Sequence, residues 1–189
     1  MLWYAAYGSN LSLARFRLYL DGGKPFDNAR EYPPCPAGSV ITGDKAFPID
    51  RQLYFAGKSK QWGAGVAFVD FPVVDPPPTL GRAYRLSLDQ LTHVARQENG
   101  GREVLVDVER IGKQPLEIRP HGYYRILLPL GQLDGDMVVT LTGRRDERGH
   151  DTRPSEAYLD WFRSGLWETY PDLKAAAIDA YLNKHLPRV

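Results

Sequence analysis

A single cysteine, Cys35, stands among 189 residues, so no internal disulfide can form. It sits in Tyr32-Pro33-Pro34-Cys35-Pro36, beside nothing that would activate a thiol. No apolar run reaches the roughly eighteen residues a membrane span needs. The N-terminus carries no basic segment followed by a long apolar stretch, so a secretory signal is not expected and a cytoplasmic location is the default. Neither charge sign dominates: 24 Lys plus Arg face 23 Asp plus Glu, a balance that argues against a nucleic-acid partner. No His or Cys pair has zinc spacing, and His93, His121, His150 and His185 are scattered in polar contexts. Gly-x-x-x-x-Gly-Lys and Gly-x-Gly-x-x-Gly after a strand are both missing, which leaves nucleotide binding without support. Ser9 lacks the Gly-x-Ser-x-Gly elbow of a nucleophile. The chain therefore offers no sign of a metal or cofactor. Nor does it show a heptad or repeat from which an oligomeric state could be read.

What is present is a chain long enough to bury a core as one domain spanning residues 1–189. Short apolar stretches predict strands at 2–7, 39–42, 52–56, 65–71, 81–86, 104–111, 123–128 and 137–142. In 104–111, Val104, Val106 and Val108 alternate with Asp107 and Glu109, the pattern of a half-exposed strand. Residues 13–20 read as a helix ended by Gly22-Gly23, although the pattern also permits a strand. Two helices close the chain. Ser155 caps the first, which ends near Gly165, and Pro171 opens the second, with Ala177, Ile178, Tyr181 and Leu182 inside. Proline clusters at 33–36 and 76–78 punctuate loops, and the mixed-sign run Arg144-Arg145-Asp146-Glu147-Arg148 reads as a solvated loop. The class is α+β: a small mixed, partly closed β-barrel flanked by three to four helices.

Two places carry chemistry. Leu2-Trp3-Tyr4-Ala5-Ala6-Tyr7 runs directly into Gly8-Ser9-Asn10-Leu11. Gly8 can adopt positive φ or admit a close neighbour. Ser9 and Asn10 bring polar groups to the turn. With a helix following, the free backbone N–H groups would form a cradle for a carboxylate; an ordinary strand-to-helix turn gives the same pattern. The second place is Glu98. Ser87 and Gln90 form a capping box, and Leu88, Leu91, Val94 and Ala95 make an apolar stripe that Glu98 extends before Gly100-Gly101 stops the helix. A carboxyl at the buried end of such a stripe suits proton transfer. The alternative is a frayed last turn whose Glu98 reaches solvent or Arg102. Tyr123 and Tyr124 could aim a hydroxyl into a pocket or serve the core.

Tyr7-Gly8-Ser9-Asn10-Leu11 resembles the Tyr-Gly-Ser-Asn-Leu signature of the gamma-glutamylcyclotransferase-like superfamily. The spacing to the single acid Glu98 is similar. So are Trp62-Gly63-Ala64-Gly65-Val66-Ala67, and Pro154-Ser155-Glu156-Ala157-Tyr158, which matches a Pro-Ser-x-x-Tyr helix start. The resemblance covers most of the chain. Gln97-Glu98-Asn99-Gly100-Gly101 departs from members that follow the acid with Gly and an aromatic, and residues 33–48 are longer and richer in proline.

The resemblance implies a compact mixed barrel whose cavity holds a small γ-glutamyl substrate. It also implies release of 5-oxoproline by attack of the substrate's α-amine on its own γ-carbonyl, with no cofactor. Glu98 would be the general acid and base. Gly8, Ser9, Asn10 and Leu11 would hold the carboxylate or oxyanion, with Tyr7 as a wall and Tyr123, Tyr124 and Tyr158 as possible pocket residues. Three alternatives stand beside it: a member that binds small molecules without turnover, an enzyme acting on a different glutamyl amide, and an interaction protein using the proline-rich loop.

Overall fold

In chain order the strands are β1 (Leu2–Ala6), β2 (Gly43–Ala46), β3 (Arg51–Ala56), β4 (Val66–Val73), β5 (Arg82–Leu86), β6 (Leu116–Glu117), β7 (Ile126–Leu133) and β8 (Asp136–Thr142). The helices are α1 (Leu13–Asp21), α2 (Leu88–Glu98), α3 (Val108–Ile111), α4 (Glu156–Thr169) and α5 (Ala175–His185), with a 3₁₀ turn at Ser9–Leu11. This computed structural model describes residues 1–74, 79–112 and 114–187. They divide into two compact units.

The first unit gathers Met1–Ala6, Arg17–Lys45 and Ala83–Gly143. It contains a six-stranded mixed sheet ordered β2-β5-β1-β8-β7-β6. Every residue of β1 is buried and apolar, as expected of an interior strand covered on both faces. It pairs in parallel with β8, Trp3 opposite Val138 and Tyr4 opposite Val139. The Thr140 hydroxyl donates to Ala5 O at 2.6 Å, so this buried polar group is satisfied. β7 and β8 form a hairpin closed through Asp134 and Gly135, both at positive φ, the backbone that a tight two-residue turn demands.

The second unit gathers Tyr7–Phe16, Ala46–Arg82 and Arg144–Val189. Here β3 and β4 form an antiparallel ribbon in which Tyr54 stacks on Phe68, ring centroids 5.5 Å apart. α4 crosses the 3₁₀ turn at Gly165. A Cβ on Gly165 would overlap Ser12 N and Leu11 C, so only glycine admits this backbone-to-backbone approach.

The structure has the expected α+β class, and among the described residues no sheet closes into a barrel: the main sheet is open and the ribbon is separate. Six of the eight expected strands overlap an observed one, that at 123–128 being shifted to β7; residues 39–42 are not a strand, and β2 begins only at Gly43. The strand expected at 104–111 is absent. Asp107 caps the short α3, its Oδ1 accepting from Arg110 N–H, while Leu105 is exposed and Val104 and Val106 are only half-buried. β6 had no sequence signal. α4 runs through Gly165 to Thr169, because glycine there serves the crossing rather than a stop. α5 begins after Lys174, with Pro171 in the preceding turn, and Ala177 is exposed. Arg144, Arg145 and Arg148 belong to a surface segment, but their guanidinium planes lie over Phe71, Tyr54 and Phe68 at 5.5, 4.4 and 5.2 Å. The proline cluster at 76–78 lies outside the described residues.

Replacing Gly165 by Ala forces a methyl into backbone that cannot move aside as a side chain can. The expected loss is at least about 2 kcal/mol, at the upper end of overpacking costs. It is read as a lower urea midpoint at unchanged slope. An unaltered midpoint would show that α4 and the turn do not meet in this way.

Candidate functional site

Residues 7–11 and Tyr158 lie in the second unit. Tyr7, Ser9, Asn10 and Leu11 are all buried. The Leu11 N–H donates to Gly8 O at 2.9 Å and the Ser12 N–H to Ser9 O at 3.2 Å, which closes the 3₁₀ turn. The Leu11 amide is therefore engaged within the turn. Gly8 has φ −115°, so the positive φ that the sequence allowed is not used. Its smallness matters instead. A Cβ at Gly8 would stand 3.0 Å from the Tyr158 hydroxyl and 3.4 Å from the Ala67 methyl. Ala67 N–H donates to that same hydroxyl at 3.1 Å. Trp62 packs edge-on against the Tyr158 ring at 5.3 Å. Three of the sequence motifs thus converge: the Gly-Ser-Asn turn, the Trp62–Ala67 segment and the Ser155-capped helix.

The turn is held by a residue that sequence reading did not single out. Glu168 accepts from Leu13 N–H at 2.9 Å, Ser12 Oγ at 3.1 Å, Ser164 Oγ at 3.1 Å and Arg82 Nη1 at 2.7 Å. Arg82 Nη1 also donates to Leu11 O at 2.9 Å. Burial pushes the Glu168 carboxyl up, yet the donors from Leu13, Arg82, Ser164 and Ser12 outweigh it and hold the group below the usual carboxylate range. The carboxylate also sits at the N-terminus of α1, where free N–H groups favour negative charge.

Glu98, Tyr123 and Tyr124 lie in the first unit. α2 begins with the expected capping box: Gln90 N–H donates to Ser87 Oγ at 3.1 Å and Ser87 N–H to Gln90 Oε1 at 2.9 Å. Leu91, Val94 and Ala95 form its buried stripe, whereas Leu88 is exposed. Glu98 is half-buried rather than fully buried, and its neighbours Gln97 and Asn99 are the buried polar groups. Tyr123 and Tyr124 are half-buried, and the Tyr124 carbonyl accepts from Asn99 Nδ2 at 2.9 Å.

Frayed ends are excluded by the cap. Gly100 N–H donates to Gln97 O at 3.1 Å and Gly101 N–H to Arg96 O at 2.8 Å, a Schellman pair with both glycines at positive φ. Elsewhere, burial pushes the Cys35 thiol up, away from the reactive thiolate. Among the described residues no group of His, Cys, Asp or Glu could hold a metal, and no helix is long and apolar enough to cross a membrane.

This arrangement is the fold of gamma-glutamyl cyclotransferase. A solved gamma-glutamyl cyclotransferase superposes with a TM-score of 0.56 over 95% of this chain and 86% of its own, at 15% identity. An uncharacterized protein from Homo sapiens superposes with the same score and coverage at 16% identity. At these identities the likeness shows the fold. No family model matches the chain. Among curated proteins, histone deacetylase 5 of Arabidopsis thaliana is 34% identical over 108 residues, 52% of this chain. The match spans only 15% of that relative.

Two outcomes follow from the turn. Tyr158→Phe removes the hydroxyl that accepts from Ala67 N–H and should cost about 1–3 kcal/mol. Gly8→Ala should cost a comparable amount in wild type and less in the Tyr158→Phe background, where the crowding hydroxyl is gone. A double-mutant cycle in chemical denaturation should return a coupling of about 0.5 kcal/mol or more, and additive losses would contradict the contact. Glu168, with its folded pKa lowered, stabilises above the unfolded value near 4.3 and loses that contribution as pH falls through the folded value. Glu168→Gln should therefore flatten the acid limb of stability below about pH 4, measured by thermal unfolding against pH. A limb as steep as wild type would refute the assignment.

Proposed function

We propose that the protein releases 5-oxoproline from a γ-glutamyl amide. The substrate's α-amine attacks its own γ-carbonyl carbon, a C–N bond closes the five-membered ring, and the original amide C–N bond breaks to free the leaving amine. The nucleophile belongs to the substrate, so the protein's tasks are folding it into the cyclising conformer and moving a proton. Preorganisation of this kind can contribute several kcal/mol. Glu98 takes the proton from the α-ammonium and returns it to the departing nitrogen. The amides of Gly8, Ser9 and Asn10 bind the substrate carboxylate or the developing oxyanion, with Leu11 holding the turn closed and Tyr7 as its wall. Tyr158 backs that turn.

The observation that carries this reading is the state of Glu98: a half-buried carboxyl on the last residue of a helix whose end is capped. The shared fold supports it. The balanced net charge of +1 suits a small zwitterionic substrate and no polyanion.

The test is a panel of γ-glutamyl amides differing in the leaving amine, with 5-oxoproline measured as product. At least one should turn over, and Glu98→Gln should lower that turnover about a hundredfold or more with its melting temperature retained. Equal turnover in the two proteins removes Glu98 from the mechanism. Binding of the panel without product in wild type would identify a non-catalytic member of this fold.

A further inference from the structure

The last turn of a helix is ordinarily its loosest, because its carbonyls lack intrahelical partners. Here that turn carries Glu98, and both residues flanking it are buried and anchored. Asn99 is 7% exposed. Its amide donates both hydrogens, to Ala95 O at 2.9 Å and to Tyr124 O at 2.9 Å. The first bond adds a second donor to a helix carbonyl that already accepts the Asn99 N–H at 3.2 Å, and the second ties the helix end to the segment leading into β7. The Asn99 carbonyl accepts from Arg119 Nη1 at 3.4 Å. Its Oδ1 faces Gly122 so closely that a Cβ there would stand 2.5 Å away. On the other side Gln97, also 7% exposed, accepts from Arg30 Nη2 at 3.1 Å. Arg30 in turn lies 5.7 Å from the Tyr32 ring centroid.

We propose that Asn99 is a positioning residue for Glu98. Its side-chain amide fixes the backbone from which the acid projects, and Gln97 on Arg30 is the second anchor. The inference rests on the role given to Glu98 above. A carboxyl that must meet an ammonium and then a departing nitrogen has to be placed to a fraction of an ångström, and misplacement by about 1 Å can cost a hundredfold. With both covalent neighbours held, the acid retains only its own side-chain rotations. A simple C-cap would need one bond to a helix carbonyl. The second donation, to Tyr124 O, joins the cap to a separate segment and is the part a cap does not require.

The discriminating variants are Asn99→Ala, which removes both donors, and Gln97→Met, which keeps the stem and removes the acceptor. In the full-length protein Asn99→Ala should lower kcat about ten- to a hundredfold while KM stays within about twofold, and it should displace the acid limb of the pH–rate profile. Gln97→Met should act in the same direction and more weakly. A folded Asn99→Ala protein with wild-type kcat and pH profile overturns the proposal, leaving a cap alone. A readout that needs no turnover separates this inference from the proposed reaction. The Glu98 carboxyl carbon resonance, assigned by its disappearance in Glu98→Gln, should be a single line in wild type and broaden or split in Asn99→Ala. Amide exchange should also accelerate from Gln97 to Gly101 and not in β7 or β8. If Asn99→Ala does not fold, Gln97→Met carries the same two measurements. A wild-type protein inactive on every γ-glutamyl amide would defeat the reaction, and an unchanged carboxyl line with unchanged exchange would defeat the positioning role.

Discussion

One carboxylate fixes the turn on which the second unit is built. Glu168 gathers donors from Ser12, Leu13, Ser164 and Arg82, and Arg82 passes on to the Leu11 carbonyl. The chain leaving Tyr7 is thereby tied to α4 at its backbone, and Gly165 lets the two backbones meet. Removing the carboxylate would take from Arg82, whose side chain is only 8% exposed, the anion it meets at 2.7 Å. Tyr158, nearer the start of α4, meets Gly8 and Ala67. The helix thus secures both ends of the Gly-Ser-Asn turn, by charge at one and by a hydroxyl at the other.

The first unit uses buried amide side chains for a similar purpose, with Arg30 donating to Gln97 and Arg119 to the Asn99 carbonyl. Its carboxyl of interest, Glu98, sits at the end of a helix begun by a reciprocal side-chain cap and finished by a Schellman pair. Buried amides on either side replace the ionic anchoring seen around Glu168. Each unit therefore fixes the backbone of its functional segment with partners distant in sequence.

That distance decides what the sequence disclosed. The capping box of α2 and its double-glycine stop are local patterns, and both were legible residue by residue. Strand β1 could be read from five consecutive apolar residues. The Glu168–Arg82 pair joins residues 86 positions apart and leaves no local trace. The alternation at 104–111 looked like a strand because period-two patterning reports residue types, while burial depends on a partner sheet that this segment does not join. For Gly8 one of the two reasons read from the sequence fails and the other holds: its φ is negative, and its close neighbour is the Tyr158 hydroxyl that a Cβ would meet at 3.0 Å. Asn99 stood out only as a departure from a motif. Its two donations need the position of Tyr124, which no spacing rule supplies.

The parallel pairing of β1 with β8 bears on how the protein is made. Strand Leu2–Ala6 leaves the ribosome before the other strands of its sheet, yet the strand that covers one of its edges comes from Asp136–Thr142. During synthesis that apolar strand must wait while the residues between it and β8 are translated, with one row of backbone groups unpaired. Contacts of such long sequence separation slow folding and lengthen exposure to other nascent chains. Low temperature and chaperone supply during expression should consequently govern yield more than any feature of the finished fold.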